Sequence, residues 1–200
     1  MIEVEIKLPV HRRASIEKSL CGLNFQPGHL VRESDIYFTS PFHDFMHSDE
    51  ALRIRESEDY TTASSVSHLT YKGPKLDTVS STRKELETRV GDPETCREIL
   101  LSLGYEELAP VRKLRQYYHR DNITACVDQV EGLGSFLELE ILVDAETGRP
   151  AALKAIEQLL HKLGCRMEDT TRYSYLYMLQ QASGSAARRE ESGCSKEKHT

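Results

Sequence analysis

At least six stretches of this chain alternate between charged and apolar side chains, and that pattern limits how it can fold. "MIEVEIKLPV" sets Glu3, Glu5 and Lys7 against Val4, Ile6 and Leu8, and "FLELEIL" sets Glu138 and Glu140 against Leu137, Leu139 and Ile141. "TRKELETRV" aligns Arg83, Glu85, Glu87 and Arg89, while "ALRIRES" puts Arg53 and Arg55 opposite Leu52 and Ile54. "VRKLRQYY" pairs Lys113 with Arg115, "CVDQV" adds Asp128, and "LTYKGPK" adds Lys72, with Lys75 just beyond. Successive side chains of a strand point to opposite faces, so each stretch reads as a strand with one charged and one apolar face. Strands are expected near 2–9, 29–38, 50–58, 66–73, 82–90, 107–119, 123–130 and 135–143.

Three other segments carry a helical stripe. In "SIEKSLCGLNF", "TCREILLSLGY" and "AIEQLLHKLGC", the positions Ile16/Cys96/Ile156, Leu20/Leu100/Leu160 and Leu23/Leu103/Leu163 follow the i, i+4, i+7 spacing of an amphipathic helix. Asn24, Gly104 and Gly164 follow at the ends, where a left-handed cap is needed. Pro93 and Pro150 lie near the first turns of the second and third helices.

Two architectures satisfy this pattern. The apolar strand faces can form the core while the charged faces meet water. Alternatively the sheet closes with its charged faces inward and the helices cover the apolar outside. The second arrangement gives the amphipathic helices an apolar surface to cover, but buried charges must pair with one another, with metal or with a charged ligand. Glu and Asp oxygens suit Mg²⁺ or Mn²⁺, and Lys and Arg suit phosphate oxygens. A tunnel holding a polyphosphate and a divalent cation would satisfy both sets. Strand spacing alone leaves the two architectures open.

Composition excludes some classes. The formal net charge of -6 over 200 residues argues against a nucleic-acid binder. No apolar run is long enough to span a membrane, and the N-terminus enters a strand with no secretory pattern, so a cytoplasmic protein is expected. The five cysteines form no CxxC pair, which points to reduced thiols rather than a zinc site or disulfide frame. From Ala182 on, "ASGSAARREESGCSKEKHT" mixes Gly, Ser and charge without periodicity. The expectation is a folded domain over 1–181 and a disordered tail over 182–200.

"EVEIK", "DEALRIRE", "TYKGPK", "TRKELE", "VRKLRQYY", "VDQVEGLGSFLELE" and "TRYSYLYML" together resemble the CYTH superfamily, the triphosphate tunnel metalloenzymes, and the class IV adenylyl cyclase branch in particular. The likeness spans roughly residues 1–180. It implies an α+β fold: an eight-stranded antiparallel closed β-barrel with amphipathic helices packed on the outside. It matches Glu3, Glu5, Glu138 and Glu140 to metal-site acids. Lys7, Arg53, Arg55, Lys72, Lys113 and Arg115 match the triphosphate-binding set, with Lys113, Arg115 and Asp128 closest to the chemistry. Glu85 and Glu87 match tunnel acids, either for a second metal or as salt bridges orienting the cations. The implied cofactor is Mg²⁺ or Mn²⁺, and the implied ligand is ATP or another triphosphate, with no nucleic acid or membrane partner. A homodimer is left open.

The expected reaction is conversion of ATP to cyclic AMP and pyrophosphate. The rivals are hydrolysis of tripolyphosphate, thiamine triphosphate or a nucleotide, a non-catalytic polyphosphate or nucleotide binder, and a structural β-protein. Other signals read as structural. His43-x3-His47 lacks further ligands at finger spacing, although its loop could close over a tunnel mouth with Phe42 or Phe45 touching a base. Tyr117, Tyr118, Tyr173 and Tyr175 read as packing residues rather than base platforms. Cys126 shares a strand face with Asp128 and reads as an inert thiol.

Overall fold

A computed structural model describes residues 2–183. Nine strands form one antiparallel sheet: β1 (Ile2–Pro9), β2 (Gln26–Thr39), β3 (Ala51–Asp59), β4 (Ser64–Lys75), β5 (Arg83–Val90), β6 (Glu106–Glu107), β7 (Val111–Arg120), β8 (Ile123–Val130) and β9 (Gly134–Val143). The order is β3-β4-β5-β1-β9-β8-β7-β2, and β2 pairs back onto β3. Eight strands therefore close a barrel, and the two-residue β6 lies beside β2. The single strand expected over 107–119 is split because Pro110 cannot donate to a ladder, which resumes at Val111.

Register sets every inward row. Glu5 faces Glu140 and Lys7 faces Glu138 across β1 and β9, and Arg115 faces Asp128 across β7 and β8. The opposite parity holds the apolar core on the barrel's outside. Val4, Ile6, Leu8, Ala125, Val127, Leu137, Leu139 and Ile141 are buried there. They pack under α1 (Arg13–Gly22) and α3 (Arg149–Lys162), through Leu20, Ile156, Leu159 and Leu160. A second patch, centred on Phe38 and Ile54, is covered by Leu100 of α2 (Pro93–Ser102). The arrangement with charged faces inward is the one adopted.

The three helices end as their sequences require. Asn24, Gly104 and Gly164 all have positive φ, at 64°, 89° and 73°. The Asp92 side chain caps α2 by accepting from the backbone N–H groups of Glu94 and Thr95, both at 3.1 Å. Asp92→Ala is expected to cost about 1 kcal/mol, read as a fall of about 3 °C in Tm. An unchanged Tm would mean that packing of Leu100 alone holds the helix.

A fourth helix, α4 (175–183), was not apparent in the sequence. Leu176 is buried with Val111, Val130 and Phe136 at one end of the barrel, and Met178 and Leu179 pack against that cluster. The helix runs two residues past the expected boundary at 181. The expected tail otherwise lies outside the described residues. Among the described residues, no helix is long and apolar enough to cross a membrane.

Candidate active site

The barrel encloses a cavity of about 710 Å³. Its lining includes Glu3, Glu5, Lys7, Arg53, Arg55, Lys72, Glu85, Glu87, Lys113, Arg115, Glu138 and Glu140. Asp128 lies behind that wall, fully buried.

The acids divide into two groups. Glu3, Glu5 and Glu140 can each bring a carboxylate oxygen to within 4.8 Å of the other two. Burial pushes Glu3 up to about 7; Lys72 opposes the shift, and Glu85, Glu5 and Glu138 add to it. Burial also pushes Glu140 up to about 8, with Glu3 adding to the shift and Arg115 opposing it. Lys7 stands 3.5 Å from Glu5 and Arg115 3.6 Å from Glu140, yet Glu3 and Glu140 stay raised, so three hard oxygen donors with repulsion left over suit a divalent cation. This set of three carboxylates fits Mg²⁺ or Mn²⁺; the one thiol beside it, Cys126, donates to Glu140 Oε1 at 3.6 Å.

Glu138, expected beside these acids, does not share their cluster. Lys7 Nζ lies 3.0 Å from Glu138 Oε1, and Arg115 donates to Glu138 Oε2. Burial would raise its pKa, but Lys7, Arg115 and Lys113 outweigh that and hold the carboxylate well below the usual range. Glu138 is therefore a fixed anion between two cations.

Asp128 is also committed. Arg115 grips it in a fork, Nε to Oδ1 at 2.7 Å and Nη2 to Oδ2 at 2.6 Å, while Tyr175 donates to Oδ2 at 3.0 Å. Lys113 Nζ stands 3.5 Å from the same oxygen. These contacts place Asp128 behind Arg115.

The wall across from the trio is cationic and holds acids that the sequence reading did not single out. Arg55 forks onto Asp35 at 2.6 and 2.7 Å and reaches Glu33 at 2.9 Å. Lys113 is 3.2 Å from Glu33, and Arg53 Nη1 donates to Asp35 at 3.3 Å. Against the cost of burial, Arg55 and Lys113 hold Glu33 down to about 2, and Arg55 and Arg53 hold Asp35 lower still. The buried Arg53 Nε has no partner among the described residues, leaving a donor for a ligand oxygen. Glu33, Asp35 and Tyr37 share one strand parity in "RESDIYF", so the alternation that revealed the other strands would have found them.

Lys72 pairs with Glu85, and Glu87 accepts from Thr70 at 2.8 Å. Both acids are engaged by neighbours on the wall. At the mouth, Lys75 binds Asp49, and Arg83 donates to the carbonyls of Asp49 and Gly73, both at 3.2 Å. Tyr175, read as a packing residue, is a tunnel residue. Its ring lies under Lys7, 4.3 Å from Nζ to the centroid, and 5.2 Å from Lys113 Nζ. Its signal was missed because it comes from α4 and not from a strand.

Comparisons with known proteins agree with this geometry. The CYTH domain family matches residues 1–175. A Methanocaldococcus jannaschii protein named "putative adenylate cyclase" is 38% identical over 176 residues, covering 88% of this chain and 97% of its own. A solved Pyrococcus horikoshii protein is 36% identical with a TM-score of 0.83, covering 90% of this chain and 99% of that one. A Hippeastrum protein with the same fold is 18% identical with a TM-score of 0.61, covering 92% of this chain and 95% of its own. It is described as a "putative adenylyl cyclase" with a dominant triphosphatase activity.

Proposed function

The chain belongs to the CYTH family, and from that premise we propose that it is a divalent-metal-dependent adenylyl cyclase converting ATP to cyclic AMP and pyrophosphate. The observation that carries triphosphate chemistry is the three-carboxylate cluster of Glu3, Glu5 and Glu140 facing a cationic wall inside one enclosed tunnel. A pure anion binder gains nothing from such a cluster. The likeness to a relative named for adenylate cyclase favours cyclisation over hydrolysis.

Glu3, Glu5 and Glu140 would hold the cation, which supplies charge neutralisation at the phosphorus under attack. Lys7, Arg53, Arg55, Lys72 and Lys113 bind and orient the phosphate oxygens. The ribose 3′-hydroxyl oxygen forms a bond to the α-phosphorus, and the bond from that phosphorus to the α,β-bridging oxygen breaks. Pyrophosphate leaves with the extra negative charge, and the hydroxyl proton passes to solvent. Contacts from Arg53 and Lys113 to the departing oxygens strengthen as that charge develops, so they act on the barrier more than on binding. Asp128 serves as a positioning residue: it holds Arg115, which in turn fixes Glu138 and lies 3.6 Å from Glu140.

Triphosphate hydrolysis is the second reading, because the same cationic wall would hold tripolyphosphate and the Hippeastrum neighbour is described with that activity. Incubation with ATP and Mg²⁺ or Mn²⁺, followed by chromatography, is expected to give cyclic AMP and pyrophosphate in equal amounts. Orthophosphate and ADP without cyclic product, alongside faster tripolyphosphate cleavage, would transfer the assignment to hydrolysis.

A further inference from the structure

The phosphate-binding wall explains how a triphosphate is held but not how a nucleotide is told from bare tripolyphosphate. A base-reading element needs an accessible ring face, a support that fixes the ring plane, and a polar group able to meet the base edge. The aromatic residues lining the cavity are Tyr37, Phe45, Tyr117, Tyr173, Tyr175 and Tyr177. Tyr37, Phe45 and Tyr175 are buried at 8%, 9% and 5% exposure, and Tyr117 donates its hydroxyl to Glu33 at 3.2 Å. Tyr173 differs from all of these, with 59% of its surface exposed.

Its ring is also held. Tyr173 and Tyr177 stack with centroids 4.6 Å apart and planes 16° from parallel. Each ring thus backs one face of the other, and Tyr173 keeps most of its surface exposed while lining the cavity. Gln180, three residues beyond Tyr177 on α4, lines the same cavity, and its side chain makes no hydrogen bond among the described residues. Residues three apart on a helix share a face. A glutamine amide offers a donor and an acceptor side by side, which matches the paired acceptor and donor on the edge of a purine.

We propose that Tyr173, backed by Tyr177, is the nucleobase platform of this tunnel, and that Gln180 reads the base edge. This deepens the cyclase reading and rests on it for the identity of the ligand as a purine nucleoside triphosphate. The platform determines specificity: it contributes to ATP binding and nothing to tripolyphosphate binding. The proposal gives Tyr173 a role other than the packing one read from the sequence, because a packing ring would not leave 59% of its surface exposed.

Calorimetric titration of the full chain with ATP and, separately, with tripolyphosphate, each with Mg²⁺, tests the proposal without relying on turnover. Tyr173→Ala is expected to weaken ATP binding about tenfold, within the range measured for loss of one base–aromatic stack. Tripolyphosphate binding and Tm should stay at the wild-type values. Tyr173→Phe keeps the ring and should restore ATP affinity, and Gln180→Ala should narrow the preference for ATP over a pyrimidine nucleotide. Equal weakening of both ligands, or unchanged ATP affinity, overturns the platform. ATP binding that depends on Tyr173 but yields no cyclic AMP supports the platform and overturns the cyclase reading alone. A wild-type protein that binds tripolyphosphate but not ATP overturns both.

Discussion

Arg115→Ala is expected to unfold the protein far more readily than any other single change in the tunnel. Arg115 is 5% exposed and touches three acids: Asp128 through both oxygens, Glu138, and Glu140 at 3.6 Å. Removing it leaves Asp128, with 0% exposure, facing only Lys113 at 3.5 Å and the Tyr175 hydroxyl at 3.0 Å. Breaking one partner out of a buried ion pair costs about 3–5 kcal/mol, because the remaining charge has no water to return to. For a domain of this size that corresponds to a fall of about 10 °C in Tm. Arg115→Lys should not rescue it, since an ammonium cannot make the two-pronged contact with Asp128 and reach Glu138 at once.

Lys113→Ala provides the contrast. Each of its acidic partners keeps another cation: Glu33 keeps Arg55 at 2.9 Å, and Asp128 keeps Arg115. The fold should therefore survive while kcat falls about 10²-fold, the scale for losing one electrostatic donor to developing charge. Urea unfolding of both variants, with turnover measured on the folded fraction, separates the two roles. An Arg115→Ala midpoint equal to wild type would show that Asp128 is held by Tyr175 and Lys113 alone.

The same pair shows what the sequence could and could not reveal. Lys113 and Arg115 are two residues apart, share strand parity and carry the same charge sign, so alternation places both in the tunnel and gives them the same role. What separates them is which acids stand across the next strands. Arg115 faces Asp128 in the register of β7 with β8, and that pairing depends on hairpin geometry that composition does not encode. Glu138 and Glu140 are divided by the same cause. They are equivalent in "FLELEIL", yet Lys7 lies opposite Glu138 and Glu5 opposite Glu140, so one carboxyl is held low between cations and the other is raised beside acids. Barrel closure was more legible, because covering helices and inward charge require each other. The α4 contributions were not legible. Tyr173, Tyr175 and Tyr177 alternate as a strand would, and only docking at the barrel's end turns 175–183 into a helix that buries the Tyr175 ring against Lys7 and leaves Tyr173, just before it, exposed.

In the absence of metal, stability is expected to fall as pH rises from about 5 to 8, opposite to the usual behaviour of a carboxylate-rich protein. Glu3 and Glu140 titrate near 7 and 8 when folded, against about 4.3 when unfolded. A carboxyl raised on folding binds more protons in the native state throughout that window. Its contribution is therefore fully present below the unfolded value and is lost as pH climbs through the folded one. Glu33 works in the reverse sense: it is held down to about 2, so its contribution is present above the unfolded value and is lost only in strong acid. The two effects occupy different pH ranges and do not cancel. The Glu140 side chain is 18% exposed, which discounts the effect, and a loss on the order of 3 kcal/mol between pH 5 and 8, or about 8 °C in Tm, is expected. Glu140→Gln removes one of the two titrating carboxyls and its repulsion of the other. That variant should roughly halve the pH slope, raise the metal-free Tm at pH 8, and lose turnover. Millimolar Mg²⁺ should flatten the wild-type slope, since a bound cation replaces the proton as the neutralising charge. Melting curves in chelator and in Mg²⁺ at several pH values measure each of these terms. A metal-free Tm that is level from pH 5 to 8, or full turnover of Glu140→Gln, would remove Glu140 from the proposed metal-binding trio.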